Sequence, residues 1–401
     1  MFNSLKFKVI LFGFIFTFFS SFGQSYFLGL FNSSIREALS ITHGQFGSIY
    51  ASATLCSSLL LIWVGKKIDD VNIFRFALFV IILLSFSCFF FSKVSSVFLL
   101  FIAIFLMRFS GQGMMSHTAS TTISRYFTRT RGRALSISWF GLSSAEFIMP
   151  VLMVYLLTII DWQNLWLIFS ITVLIILPTA SFLLIKNLNL DSREISDENI
   201  KEVEIKQWNR REVIKDYRFY IISLNMLAMP WIFTGFAVFQ SFVQTSKGWG
   251  PYVIAQSFMS YSILSVLTLF LSGFLIDKFT SRKLLIYMNI PLLFSVVVLY
   301  FFDTPITAFV FLGLVGISNG FANILGSSTW AELYGVKYLG SIKALTTALM
   351  VFATAFGTAL FGFLIDIGFT VGDIAVVSGM YIFISLILLF MVRKKLNPVI
   401  I

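Results

Sequence analysis

Charge is scarce in this chain: only 12% of the 401 residues are Asp, Glu, Lys or Arg, while 58% are hydrophobic and mean hydropathy is +0.91. Soluble domains carry about 25% charged residues, so the composition excludes one. The two cysteines, Cys56 and Cys88, both fall inside apolar runs, which excludes a disulfide framework and suits small packing residues. The two histidines, His43 and His117, stand on unrelated segments. A membrane-embedded acyl or glycosyl transferase needs a nucleophile, base or metal cluster near an interface, and none accompanies them. There is no G-x-x-x-x-G-K-[ST] phosphate cradle either, which excludes an ATP-driven pump. No catalytic residue, metal ion or cofactor is expected.

What is present is a series of long apolar runs. Twelve can be placed, near 9–31, 45–64, 74–92, 97–122, 134–157, 163–185, 219–243, 250–274, 284–302, 305–329, 343–365 and 374–392. Each is about 20 residues, enough to cross ~30 Å of hydrocarbon as a helix. The first follows Lys6 and Lys8 as a secretory signal would, but it is too long and has no small-residue cleavage site, so it is expected to be retained. The one long polar stretch, 186–217, divides the chain into six-helix halves, 1–185 and 218–401, and reads as a cytoplasmic linker carrying a surface helix.

The net charge of +11 raises the question of nucleic acid, and the placement of the cations answers it. Lys66, Lys67, Arg75, the 125–133 cluster, Lys278, Arg282, Lys283 and the Arg393-Lys394-Lys395 tail fall on one side of the twelve-span arrangement; Arg36, Lys93 and Lys247 fall on the other. That asymmetry predicts both termini in the cytoplasm of a bacterial inner membrane. The 125–133 loop is expected to fix topology and touch anionic lipid. No nucleic-acid partner is expected.

Between the second and third runs stands Gly65-Lys66-Lys67-Ile68-Asp69-Asp70 followed by Arg75, and between the eighth and ninth stands Gly273-Phe274-Leu275-Ile276-Asp277-Lys278 followed by Arg282. Gly at these positions predicts close approach of another helix, and Asp predicts an acceptor for a helix N-terminus. This pair resembles the duplicated G-x-x-x-D-[RK] signature of the major facilitator superfamily, with Asp70 departing from it where a basic residue is usual. Arg108-x-x-Gly111-x-Gly113 resembles the family's fourth-helix motif, and Gly141 with Pro150 its fifth. Phrases such as Phe22-Gly23-Gln24-Ser25-Tyr26-Phe27 and Trp330-Ala331-Glu332-Leu333-Tyr334-Gly335 resemble the branch of monocarboxylate and oxalate/formate transporters.

The resemblance implies an all-α membrane protein in the major facilitator fold, with twelve transmembrane helices in two pseudo-symmetric six-helix bundles. It implies a monomeric secondary transporter of a small solute, such as an organic anion, working by alternating access. It also implies that helices 1, 4, 7 and 10 line a central path and that the loops of Gly65, Asp69 and Arg75 and of Gly273, Asp277 and Arg282 act as gates. A non-transporting sensor on the same scaffold is the alternative, and it usually carries a signalling domain or long tail. Carboxylate transporters of that branch place cations in helices 8 and 11, whose interiors here have none, so an anionic solute rests on Arg108.

The candidate path residues are polar positions within these runs. Thr17, Ser20, Ser21 and Gln24 share a helical face at i, i+3, i+4 and i+7. Packing and a wet cavity both fit the hydroxyls, and Gln24 is assigned to the cavity. Arg108 is followed on its face by Gly111, Gln112, Met115 and Ser116, with His117 pointing away. A charge at mid-membrane costs about 2.5–3.5 kcal/mol on insertion scales, so Arg108 needs a partner or a cavity. Glu146 lies at a similar depth in the fifth run, four residues before Pro150. A static ion pair, an Arg108 site for an anion, and proton exchange at Glu146 all fit. The seventh run adds Asn225 and Gln240, and the tenth Asn319 and Asn323.

Overall fold

In the computed structural model, residues 5–127, 131–186, 206–335 and 337–398 are described, without the side chains of Asp69, Arg131, Asp277 and Ser327. Among the described residues every regular element is helical, and 12 helices are long and apolar enough to cross a membrane. They run Leu5–Gly29, His43–Ile68, Ile73–Phe91, Val97–Tyr126, Gly132–Leu156, Trp162–Ile185, Tyr217–Val238, Val253–Ile276, Ser281–Phe301, Pro305–Tyr334, Leu339–Asp366 and Val371–Lys395, and are numbered here as spans in that order.

Short polar residues set where several spans start. Thr42 and Gln45 bond reciprocally at the head of the second span, and Thr370 and Asp373 do the same at the twelfth. Asn72 and Ser96 cap the third and fourth through their side-chain oxygens. Exteriors are apolar: Phe274 is 75% exposed, as a lipid-facing side chain should be. Cys88 is buried as expected, but Cys56 is exposed on the second span.

The chain forms two compact units, Met1–Glu198 and Asn199–Ile401. In the first, span 1 packs on span 5, 2 on 4 and 3 on 6; in the second, 7 packs on 11, 8 on 10 and 9 on 12. The same pairing scheme thus occurs twice. Apolar side chains gain little from leaving lipid for one another, so small residues and hydroxyls hold these pairs. Ser85 and Ser170 each donate to the other's carbonyl oxygen, at 2.9 and 2.8 Å, between spans 3 and 6. Gly141 leaves room for the Phe14 carbonyl, and at the equivalent contact Gly357 leaves room for that of Trp231.

Three spans depart from α-helix away from their ends. The first runs as α-helix from Leu5 to Ser20, tightens to a 3-10 turn at Ser21–Gly23, turns extended at Gln24 (φ −80, ψ 151) and resumes at Ser25–Gly29. The fourth widens into a π-helix over Arg108–Met115. The ninth is interrupted at Asn289 between Ser281–Met288 and Ile290–Phe301. The seventh ends at Val238 and is followed by a separate helix, Gln240–Ser246. Of the linker, 187–205 lies outside the described residues; its end forms a six-residue helix, Arg210–Lys215, begun by an Asn209–Glu212 capping box. Trp208 N donates to the Tyr334 carbonyl and Lys337 N to Gln207 Oε1, so this end is fastened to the second unit.

Candidate functional site

The break in the first span and the wide turn in the fourth meet at one point. A Cβ on Gly23 would strike Gln112 N and Met107 O, and a Cβ on Gly111 would lie 2.6 Å from Gly23 N, so both residues must be glycine for the spans to touch. Because Phe27 N and Leu28 N both bond to Gln24 O, the Gly23 carbonyl has no helical partner. Arg108 Nη1 donates to it at 3.0 Å. Irregular backbone at membrane depth needs such an internal donor.

The same Nη1 donates to Ser25 Oγ at 3.2 Å, and Tyr50 of the second span donates its hydroxyl to that oxygen at 2.9 Å. The guanidinium carbon lies 5.3 Å from the Tyr50 ring centre, within cation–π range. Arg108 is 3% exposed. Its Nε meets no acceptor, and among the described residues no carboxylate pairs with it. The site is therefore a buried cation satisfied by neutral oxygens and one ring, with donor capacity left over.

Glu146 does not supply the missing charge, so the two depth-matched charges are not an ion pair. It is 8% exposed on the fifth span, with no ion-pair partner among the described residues, and its electrostatic neighbour is Tyr26. The two were matched by depth, and equal depth does not fix the direction of a side chain around its helix. The polar face read from the first span also changes character. Thr17, Ser20 and Ser21 are fully buried; Thr17 donates to the Ser138 carbonyl and Ser20 to that of Thr17. Gln24 is half-buried but off that face, since the chain turns extended there, and Gln112 is half-buried beside Gly23.

Two residues assigned to the path in the second unit pack instead. Asn225 is 0% exposed: its carbonyl accepts from Asn289 Nδ2 at 2.6 Å, and its own Nδ2 reaches Ser385 Oγ at 3.5 Å, so it joins spans 7, 9 and 12. Gln240 belongs to the short helix after span 7, donates to the Ala237 carbonyl and lines an apolar crevice of about 20 Å³ with Phe236, Trp249 and Phe311, too small for a solute. Asn319 donates to Ser265 Oγ at 2.9 Å across the 8–10 contact, and Asn323 is exposed on the tenth span.

The duplicated loops differ from one another. Gly65–Asp69 is a 3-10 turn, whereas Gly273 and Asp277 lie inside a continuous helix, Val253–Phe279. Neither glycine is needed for close approach: Gly273 has open space where a Cβ would go, and at Gly65 the nearest atom, of His117, is 3.4 Å away. The Asp69 and Asp277 side chains lie outside the described residues. What fastens the first loop is the fourth span: His117 Nε2 donates to Gly65 O at 3.0 Å, and Arg125 Nη1 to Ile68 O at 3.0 Å. Arg75 is exposed. In the second, Glu332 accepts from the amides of Ser281 and Arg282, and Arg282 donates to Leu396 O and Asn397 Oδ1. Sequence reasoning missed Tyr50, Ser25 and Glu332. Tyr50, a phenol inside an apolar run, was the available signal.

Comparison with known proteins agrees with this architecture. No curated protein sequence matches the chain. Among solved structures, a bacterial homolog of the human lysosomal transporter Spinster superposes with a TM-score of 0.74 at 14% identity, covering 98% of each chain. The nucleoside transporter NupG superposes at 0.71 and 14% identity, covering 98% of this chain and 99% of its own. At such identity these matches speak for the fold. The sequence itself fits the family profile described as Major Facilitator Superfamily over residues 13–286, so the chain is an integral, multi-pass membrane protein belonging to that superfamily.

Proposed function

We propose that this protein is a secondary transporter that moves a small organic anion, of monocarboxylate type, across a bacterial inner membrane by alternating access, with both termini in the cytoplasm. Membership of the superfamily and the fold shared with two kinds of transporter support transport as such. The anion rests on one observation: Arg108 is buried, carries no carboxylate partner among the described residues, and keeps an unused Nε donor. Burying an uncompensated cation is costly, and a solute carboxylate accepting two charge-assisted hydrogen bonds offsets that cost. Tyr50 and Ser25 hold the guanidinium in place for it.

Glu146, buried and without an ion pair, is the group assigned to proton coupling. A proton moving down 100 mV supplies about 2.3 kcal/mol. The test is uptake of labelled small carboxylates into proteoliposomes with and without a pH gradient. Gradient-driven accumulation that Arg108→Gln abolishes, and that Glu146→Gln converts to gradient-independent equilibration, supports the proposal. Equal uptake by all three proteins sinks it.

A further inference from the structure

The second unit holds a cavity of about 670 Å³ bordered by the end of the eighth span, the start of the ninth and the end of the twelfth. Its lining combines two chemistries. Arg282, Lys283, Arg393 and Lys394 bring four positive charges, and no carboxylate among the described residues lines it. None of the four makes an ion pair among the described residues. Arg282 is held in place by Leu396 O and Asn397 Oδ1, and Arg393 lies over the Phe390 ring. Glu332 accepts from the Ser281 and Arg282 amides. The lining also includes the apolar Leu275, Phe279 and Ile286, and Tyr287, which is 57% exposed.

Four cations and several apolar side chains together at the ends of three spans suit a molecule that carries both a phosphate and hydrocarbon. We infer that this cavity is a binding site for an anionic phospholipid, whose headgroup phosphate sits among Arg282, Lys283, Arg393 and Lys394 while an acyl chain lies along Leu275, Phe279 and Ile286. Basic pockets between transmembrane helices take up such headgroups, and a tyrosine with an apolar body and a polar tip suits the boundary. A phosphate alone would use only the cationic residues. The site is separate from Arg108 and stands whether or not the transported solute is an anion.

Thermal unfolding of the purified full chain in detergent tests the site, with phosphatidylglycerol, phosphatidylcholine of the same acyl chains, or inorganic phosphate added. Lys283 and Lys394 are exposed and make no ion pair among the described residues, so Lys283→Gln and Lys394→Gln, singly and together, keep the fold. Phosphatidylglycerol is expected to raise the wild-type midpoint by about 2 °C or more, with less than half that shift in the double variant. Native mass spectrometry of the same samples is expected to show phosphatidylglycerol retained by the wild type and reduced in each single variant. An equal shift with phosphatidylcholine, an equal shift with inorganic phosphate, or a full phosphatidylglycerol shift and retention in the variants would overturn the inference.

Discussion

Gly23 and Gly111 face each other so closely that a Cβ on Gly111 would sit 2.6 Å from the amide nitrogen and 2.9 Å from the Cα of Gly23. This contact brings the broken first span onto the π-helical part of the fourth and sets Arg108 within reach of the Gly23 carbonyl. Backbone on both sides leaves nothing flexible to yield. Gly111→Ala is expected to cost about 1–3 kcal/mol of stability, as overpacking does, and to weaken solute binding with it. Gly273→Ala, where a Cβ meets open space, should leave the unfolding midpoint within experimental scatter. Thermal unfolding in detergent reads both.

Tyr50→Phe keeps the ring over Arg108 and removes the hydroxyl that donates to Ser25. The expected loss of stability is about 1 kcal/mol, the net worth of one buried hydrogen bond. Because Ser25 then has one fewer restraint while it holds the guanidinium, anion affinity should fall by up to about tenfold, which isothermal titration would measure. Unchanged affinity would remove Tyr50 from the site.

Asn225 and Arg108 should respond in opposite ways. Asn225→Ala opens a gap among three packed spans, so the unfolding midpoint should drop, by an amount near the typical ~1 kcal/mol of a core change, with no change in solute affinity. Arg108→Gln should lose affinity. An Asn225 variant that binds solute more weakly at full stability would return that residue to the transport path.

Glu212 links the short linker helix to pH. Its carboxylate accepts from the Asn209 amide first and from Lys206 second, which holds it below the usual carboxylate range. A depressed folded value means that the stabilisation is present above the unfolded value of about 4.3 and is lost as pH falls through the folded one. Hydrogen exchange of amides in Arg210–Lys215 should therefore speed up in acid relative to a pH-matched reference, and Glu212→Ala, which removes the acceptor, should show the fast exchange already at pH 7. Exchange insensitive to both changes would contradict the capping role.

The spans were readable because a run of some twenty apolar residues has few other stable forms. The site was readable only in part. Arg108 announced itself by cost, as any charge in an apolar run does. Its partners did not, because they depend on two departures from α-helical phase: the extended turn at Gln24 and the π-helix over Arg108–Met115. Seven residues of uniform helix would have put Gln24 on the face of Thr17; the turn removed it. Matching depth likewise suggested Glu146 as a partner, but depth says nothing about direction around the helix. Asn225 and Asn319 were placed on a polar path by periodicity, while packing helices in lipid use the same residue types as hydrogen-bonding contacts.

The most direct measurement is the thermal stability of the purified protein against small carboxylates, amino acids, sugars and amines, repeated with Arg108→Gln. A ligand of the folded state at a hundredfold excess over its Kd adds about 2.7 kcal/mol. Stabilisation of the wild type by carboxylates alone, absent in Arg108→Gln, is the expected result. Stabilisation of both proteins to the same extent by neutral or cationic solutes would contradict the anion site and leave Arg108 as a strut between the first and fourth spans.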